Sequence, residues 1–309
     1  MIAALAGGVG AARFLSGLSR VVPPEDTVAV VNTGDDDVFF GLHVSPDLDT
    51  VTYTLAGAVN PSTGWGLDAD TFSTMDDLER YGAATWFRLG DRDLATHLYR
   101  TGRLAEGISL TTVTAEVARA WGVTVRLLPM SDDPVRTRVV LREGPEVSFQ
   151  EYFVRLHHQA AVAAVRFDGA ATARPAPGVL KALGDAQAVV VCPSNPFLSI
   201  GPVLAVPGVR ELLEGRRATT VAVSPIVAGT ALKGPADRLM AELGHDTSVV
   251  GVARLYAPLA ATLVVDEADA PLAPAVEAAG MRCVVTPSVM TSPQVAAGLA
   301  AATLQAAGA

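Results

Sequence analysis

The sequence predicts an α/β fold built on a mainly parallel sheet with helices on both faces. Short, continuous runs of Ala, Val and Leu recur in the first and last parts of the chain, and segments with helical spacing separate them. This alternation is typical of parallel strands that are buried on both faces. The middle of the chain breaks the alternation and holds all three tryptophans, which predicts an inserted region.

The strands and helices can be placed in order along the chain. A strand is predicted at residues 2–6, followed by a glycine turn, a helix at 11–18 and a second strand at 27–31. The alternation returns after about residue 160, with strands predicted at 188–192, 220–223, 262–265 and 283–285. Helices are predicted between and after them, at 177–183, 209–214, 236–243, 272–279 and 293–306. Several of these helices start near Pro and stop before Gly, as helices commonly do.

The segment from about residue 60 to residue 169 is interpreted as a subdomain inserted into a single domain of residues 1–309. It contains predicted surface helices at 91–100 and 111–121, and predicted strands at 125–130 and 135–141. We expect this subdomain to cover one edge of the sheet and to help form the functional site.

Composition narrows the classes of function. Half of the residues are hydrophobic, enough for a large core, and the net charge of −9 argues against nucleic-acid or anionic-membrane partners. The sequence has no apolar run of about 18 residues and no charged segment before the first strand, so neither a membrane span nor a signal peptide is expected. Cys192 and Cys283 lie in apolar runs and are expected to be buried and reduced. A soluble, cytoplasmic protein is therefore expected.

A glycine-rich turn follows the first predicted strand. Gly7, Gly8 and Gly10 open the first helix, where backbone N–H groups and the helix N-terminus favour a phosphate. The full dinucleotide fingerprint is not met, because Arg13 stands at the third glycine position. The turn predicts a phosphate or diphosphate site, and the alternative is a tight turn without a ligand. Arg13 either points at the phosphate or caps the edge of the sheet.

Acidic residues follow the second predicted strand, where residues 35–37 are all Asp. Ligands of open parallel sheets bind beyond the carboxyl ends of the strands. Mg²⁺, held by one or two carboxylates and by phosphate oxygens, is a natural partner for such a cluster. Asp35 is therefore predicted to bind Mg²⁺. The alternative is a solvated turn, with Asp49 of the next motif acting only as a helix cap.

Three further motifs carry weaker signals. Residues 88–97 form a predicted capped helix that bears His97, and residues 193–202 and 224–229 form loops rich in Pro, Ser and Gly at strand ends. Each is also compatible with an ordinary surface helix or connection. The sequence has no Cys/His spacing typical of metal sites, no nucleophile elbow and no P-loop lysine, which disfavours triad hydrolases and P-loop kinases.

Taken together, the motifs resemble those of one family, the 2-phospho-L-lactate transferases. These are the CofD-like enzymes of deazaflavin (F-420) coenzyme biosynthesis. From residue 2 to about residue 295 the chain contains, in the family's order, GGVGAARFL, NTGDD, PDLDT, LGDRDLATH, LLPMSDD, PSNPFLSIGP and SPIVAG. The resemblance implies a Rossmann-like three-layer sandwich with an inserted, mainly helical subdomain, and a possible homodimer.

The resemblance also implies a reaction. A phosphoenolpyruvyl or 2-phospho-L-lactyl group would pass from a guanosine diphosphate ester donor to the ribityl hydroxyl of a deazaflavin acceptor, 7,8-didemethyl-8-hydroxy-5-deazariboflavin, with release of GMP. Bacterial members are associated with the enolpyruvyl donor, and the arginine-rich, GC-rich style of this chain favours that type.

On the nucleotide side, the resemblance implies that Gly7, Gly8 and Gly10 hold the donor phosphates. It places Asn195 and Ser199 in the nucleotide pocket. Asp35 is the implied ligand of Mg²⁺.

On the acceptor side, the resemblance implies that Asp49 and Arg88 contact the deazaflavin. Trp65 and Phe87 are candidates to stack on it, although core packing is the alternative. We hypothesise that Asp49 also accepts the proton of the attacking hydroxyl. Relatives often carry a histidine after the glycine at Gly66, where this chain has Leu, so a role for that histidine does not transfer.

Two other classes of function are weighed against the transferase. One is a non-enzymatic regulator of the same fold that binds nucleotide sugars, but such proteins lack the LGDRDLATH and NPFLSIGP segments found here. The other is a nicotinamide-dependent oxidoreductase, which the departure at Arg13 disfavours.

Overall fold

The computed structural model describes residues 1–308, and its strands and helices alternate along most of the chain. The strands are β1 (Ile2–Ala6), β2 (Thr27–Val31), β3 (Asp37–Phe39), β4 (Leu42–Val44), β5 (Arg126–Pro129), β6 (Arg136–Leu141), β7 (Glu146–Ser148), β8 (Val162–Asp168), β9 (Ala188–Val191), β10 (Thr220–Val223), β11 (Ile226–Val227), β12 (Thr230–Ala231), β13 (Thr262–Val265) and β14 (Arg282–Val285). The helices are α1 (Gly8–Leu18), α2 (Pro46–Leu55), α3 (Ser73–Arg80), α4 (Asp93–Ala105), α5 (Leu110–Ala120), α6 (Val179–Asp185), α7 (Gly201–Ala205), α8 (Val209–Gly215), α9 (Ala236–Glu242), α10 (Val249–Tyr256), α11 (Ala273–Ala278) and α12 (Pro293–Ala307).

Seven parallel strands form the central sheet, in the order β14-β13-β10-β9-β1-β2-β5. The chain winds outward from β1 in one direction to β2 and β5, and in the other direction from β9 to β14. The order therefore reverses between β1 and β9. Ligands of open α/β sheets bind at such a switch point, beyond the carboxyl ends of the two strands.

The central strands are buried from end to end, which explains their uninterrupted apolar sequences. Alternate residues of β1 face opposite core layers: Ala3 and Leu5 pack with one cluster, and Ile2, Ala4 and Ala6 with the other. Helices α1 and α12 cover the second of these layers. The α/β sandwich predicted from the sequence is confirmed.

The middle segment differs from the single inserted unit expected at residues 60–169. Strand β5 lies within this segment, yet it pairs with β2 and forms an edge of the central sheet. Helices α3, α4 and α5 precede β5, and β6, β7 and β8 form a separate antiparallel sheet after it. The insertion is therefore divided in two by a strand of the core, because β2 needs a partner along its outer edge.

The hairpin of β6 and β7 contacts the loop after β2, at the carboxyl edge of the central sheet. The backbone N–H of Thr137 donates to Gly34 O at 2.7 Å, and Gln150 Nε2 donates to Asp35 O at 2.8 Å. A cavity of about 90 Å³ lies between the loop after β2 and the antiparallel sheet. The loop that carries Asp35 is thus hydrogen-bonded both to β6 and to the segment that follows β7.

Among residues 1–308, no single helix is long and apolar enough to cross a membrane. Two consecutive helical segments, Pro196–Ala205 and Val209–Gly215, are long and apolar enough only when they are counted together, and a bend of 95° separates them.

Candidate active site

The glycine turn after β1 is pressed against the loop that follows β9. A Cβ added to Gly7 would stand 2.6 Å from Ser199 Cβ, and one added to Gly10 would stand 2.2 Å from the Pro193 carbonyl oxygen. Gly8 has a φ of +69°, a conformation that favours glycine. Gly7 and Gly10 are therefore needed for the local packing and Gly8 for its backbone conformation, whether or not a ligand binds.

The loop after β9 is held to the glycine turn by its own side chains. Ser194 Oγ donates to Gly7 O at 2.7 Å. Asn195 Oδ1 accepts from the N–H groups of Phe197 and Leu198, at 2.9 and 3.1 Å, and so caps the short helix Pro196–Ile200. The structure thus brings Ser199, and the loop that carries Asn195, to the glycine turn; the expected role of both residues in a nucleotide pocket stays a prediction.

A carboxylate that the sequence analysis did not select, Asp47, completes this junction. Asp47 lies in the first turn of α2, and its Oδ2 is 2.9 Å from the point where a Cβ on Gly7 would stand. Asn32 Nδ2 donates to Asp47 Oδ2 at 2.9 Å, while Asn32 Oδ1 accepts from Gly34 N at 2.8 Å. Asn32 therefore joins the end of β2, the loop with Asp35 and the helix with Asp47.

Asp35 interacts with the charge of Asp47 at this junction, and Asp36 is buried beside Ser45. Burial, followed by the charge of Asp47, holds the pKa of Asp35 well above its usual value. Burial raises the pKa of Asp47 to about 6 and that of Asp36 to about 8. Asp35 Oδ1 and Asp36 Oδ1 are buried and accept no hydrogen bond. Unpartnered oxygens on clustered carboxylates fit a divalent cation, because a cation supplies the missing partner and removes the repulsion.

Asp49 lies two residues further along α2 and serves a different network. Arg100 holds its carboxylate with two hydrogen bonds, one of them at 3.1 Å, and both side chains are buried. His97 lies between two carboxylates, with Nδ1 3.7 Å from Asp49 and Nε2 3.2 Å from Asp93. The ligand atoms of Asp49, Asp93 and His97 lie within 4.8 Å of one another, so this set could also hold a metal ion.

The residues expected on the acceptor side are less closely gathered. Arg88 is held by Asp76 at 2.5 Å and lies over the ring of Phe72, so its contacts belong to the start of α3. Phe87 stacks on Phe39, with 4.0 Å between ring centroids. Trp65 is 54% exposed and accessible to a ligand.

Trp65 belongs to a loop, residues 60–66, that reaches the glycine turn. Gly64 packs so closely that an added Cβ would stand 2.7 Å from Val9 Cγ1. The amine of Lys233, from the turn after β12, donates to Thr63 O at 2.8 Å. The loop that carries Trp65 thus packs against α1, as does α2, which carries Asp49.

Comparison with known proteins places these features in a family. The family model for 2-phospho-L-lactate transferase CofD matches residues 2–286. A phosphoenolpyruvate transferase from Streptomyces griseus is 45% identical over 309 residues, covering 98% of this chain and 97% of the relative. One from Kitasatospora aureofaciens is 47% identical over 305 residues, covering 97% and 95%. A crystal structure of a UPF0052 family member from Bacillus halodurans has a TM-score of 0.62 at 17% identity, covering 98% of each chain, which shows the shared fold.

The fold and the site define an α/β protein with a glycine turn and buried carboxylates at the switch point of a parallel sheet. The family match and the relatives add that it is a transferase. The chain belongs to the 2-phospho-L-lactate transferase (CofD) family.

Proposed function

We propose that the chain transfers a phosphoenolpyruvyl or 2-phospho-L-lactyl group from a guanosine diphosphate ester to the ribityl hydroxyl of the deazaflavin acceptor, releasing GMP. Family membership, and two relatives that are named phosphoenolpyruvate transferases, support the transferred group. The observation that carries the proposal is the convergence of the glycine turn with the buried carboxylates Asp35 and Asp47. A diphosphate with its metal is a ligand that suits both.

Mg²⁺ is the proposed cofactor, and Asp35 and Asp47 are the residues proposed to hold it. Asp35 offers an unpartnered oxygen, and Asp47, whose charge acts on Asp35, lies against the glycine turn. When bound, the metal would neutralise charge on the diphosphate and on the leaving GMP.

The protein's own groups do the positioning. The N–H groups at the start of α1 and the helix dipole favour the phosphates. Asn195 uses its oxygen as a helix cap, so its amide N–H₂ remains to donate to the nucleotide. Catalysis of phosphoryl-type transfer rests mainly on such positioning and charge stabilisation.

The geometry favours a positioning role for Asp49 over the proton transfer hypothesised from the sequence. Both carboxylate oxygens of Asp49 already accept hydrogen bonds from the buried guanidinium of Arg100. With Arg100, Asp49 fixes α2 and so fixes Asp47 on the same helix. Contact of Asp49, Arg88 and Trp65 with the deazaflavin stays a proposal from the family resemblance.

The test is a product assay. The purified protein, the deazaflavin acceptor and Mg²⁺ are incubated with the enolpyruvyl or the lactyl guanylyl donor, and the phosphodiester product is measured by mass spectrometry. We expect product and GMP in equal amounts, and the ratio of kcat/KM for the two donors identifies the group transferred. Tight donor binding without product from either donor would instead support a nucleotide-binding regulator and overturn the proposal.

A further inference from the structure

Two cations without an acidic partner lie beside the glycine turn. Arg13 is one helical turn beyond Val9 on α1, so both face the same side of the helix. Lys233 approaches that side from the turn after β12, and its amine would be 3.3 Å from a Cβ added to Gly64. Among residues 1–308, neither Arg13 nor Lys233 forms an ion pair, whereas Lys181 pairs with Asp185.

This arrangement is unusual because like charges normally avoid each other. Burial, and then the nearby Arg13 guanidinium, lower the pKa of Lys233. The closest partner of Lys233 is a neutral carbonyl, Thr63 O, at 2.8 Å. An anion bound between the two side chains would be favoured by both positive charges.

The choice of residue is also informative. The chain has 23 basic residues but only two lysines, Lys181 and Lys233. Lysine offers a compact charge on a flexible stem, which suits a group that changes partners, whereas arginine suits fixed, two-pronged pairs.

We propose that Arg13 and Lys233 form a clamp on the diphosphate of the donor, and that Lys233 leaves Thr63 O to do so. The inference rests on the proposed function, because the diphosphate is the donor's. It adds a consequence for the second substrate: when Lys233 turns to the phosphate, the loop of residues 60–66, which carries Trp65, loses one of its contacts to the donor site. Donor binding then adjusts the loop before the acceptor enters.

The first test compares the chemical labelling of the two lysines, Lys233 and Lys181. The full-length protein is treated with an amine-reactive reagent, with and without GDP and Mg²⁺, and the labelling of each lysine is measured by peptide mass spectrometry. GDP is expected to slow labelling of Lys233 at least about tenfold, while Lys181 is unchanged and acts as the internal control. Equal labelling of Lys233 with and without GDP would overturn the clamp.

The second test uses variants. For Lys233→Gln and Arg13→Gln we expect the Kd for GDP and the KM for the donor to rise by about 10- to 100-fold each, since each loses a hydrogen bond to a charged group. Lys181→Gln should change neither value, and the KM for the deazaflavin should move less than the KM for the donor. Lys233→Arg should recover part of the affinity. Unchanged GDP affinity in both variants contradicts the inference.

A change in the loop of residues 60–66 is monitored through the fluorescence of Trp65. Adding GDP and Mg²⁺ should change the emission of the wild type, and this change should be absent in Lys233→Gln and in Trp65→Phe. The two proposals fail separately: a wild type that forms no product but shows GDP protection of Lys233 contradicts the transfer reaction and leaves the clamp intact.

Discussion

At the scale of single residues, the two carboxylates of α2 have opposite surroundings. Asp47 has no cationic partner, and its pKa of about 6 shows that folding disfavours its charged form. Asp49 is paired with the buried guanidinium of Arg100. Asp47 is therefore a buried carboxylate whose charge a metal could stabilise, whereas the charge of Asp49 is already neutralised.

This contrast predicts opposite effects of two similar substitutions. Asp47→Asn should raise the free energy of unfolding by up to about 3 kcal/mol at pH 7.5 without metal, because it removes a carboxylate whose pKa rises from 3.8 to about 6 on folding. The gain should vanish below about pH 4, where the carboxyl is protonated in both states. Asp49→Asn should lower the free energy of unfolding by about 3–5 kcal/mol, because Arg100 is left buried and unpaired.

Denaturant unfolding measures both changes, and kcat measures the functional side. We expect kcat to fall by on the order of 100-fold in Asp47→Asn despite its greater stability. Asp185→Asn, at a surface ion pair, is the control and should change neither quantity. A stabilised Asp47→Asn with normal turnover would remove Asp47 from the site.

At the scale of elements, close packing between helices depends on individual glycines. Gly17 of α1 faces α12, where an added Cβ would stand 2.4 Å from the carbonyl group of Ala296. Gly298, exposed on α12 itself, has nothing within 4 Å of an added Cβ. The same residue type thus has a packing role in one helix and none in the other.

Substituting alanine at these two positions should change stability in opposite directions. Gly17→Ala should cost about 1–3 kcal/mol, since α1 and α12 must move apart. Gly298→Ala should add about 0.5–1 kcal/mol through helix propensity. Thermal unfolding of the two variants measures the difference, and a stabilised Gly17→Ala would show that α1 and α12 do not meet as described.

The bounds of the strands were predicted well from the sequence where both faces of a strand are buried. Strands β1, β2, β10 and β13 have the bounds expected from their apolar runs, because both faces of each are buried. Helices α2 and α10 were not predicted. Their sequences, PDLDTVTYTL and VVGVARLY, are rich in β-branched residues that favour strands, and tertiary packing overrides that preference.

For the candidate site, the sequence indicated the residues that directly follow strands of the sheet but not those placed by other elements. Sheet topology placed Gly7, Asp35 and Asn195 together, because the carboxyl ends of parallel strands meet at one edge. Asp47 and Lys233, which we propose for the site, were not selected from the sequence because their places depend on α2 and on the turn after β12. The hydrogen bond from Asn32 to Asp47 spans 15 residues and leaves no periodic signal in the sequence.

At the scale of the whole molecule, the site joins segments that are far apart in the chain. Ser194 contacts Gly7 across 187 residues, and Gln150 contacts Asp35 across 115. A ligand at this junction would contact segments that come together only when the chain folds. Binding should therefore stabilise the protein against global unfolding.

We expect GDP with Mg²⁺ at 100 times the Kd to stabilise the protein by about 2.7 kcal/mol, seen as a rise of several degrees in Tm. Chelating the metal, or replacing Asp35 with Asn, should remove most of this rise. The Tm of Asp35→Asn without ligand is the control for folding. A full GDP shift in the presence of chelator would show that the nucleotide binds without the metal.

The position of β5 limits how this chain can be shortened. Deleting residues 60–169 would remove β5, the strand that pairs with β2. Unpaired backbone N–H and C=O groups would then lie along an apolar edge of the sheet. Such edges recruit strands from other molecules and lead to aggregates. Residues 60–169 and the central sheet must therefore be produced in the laboratory as one piece.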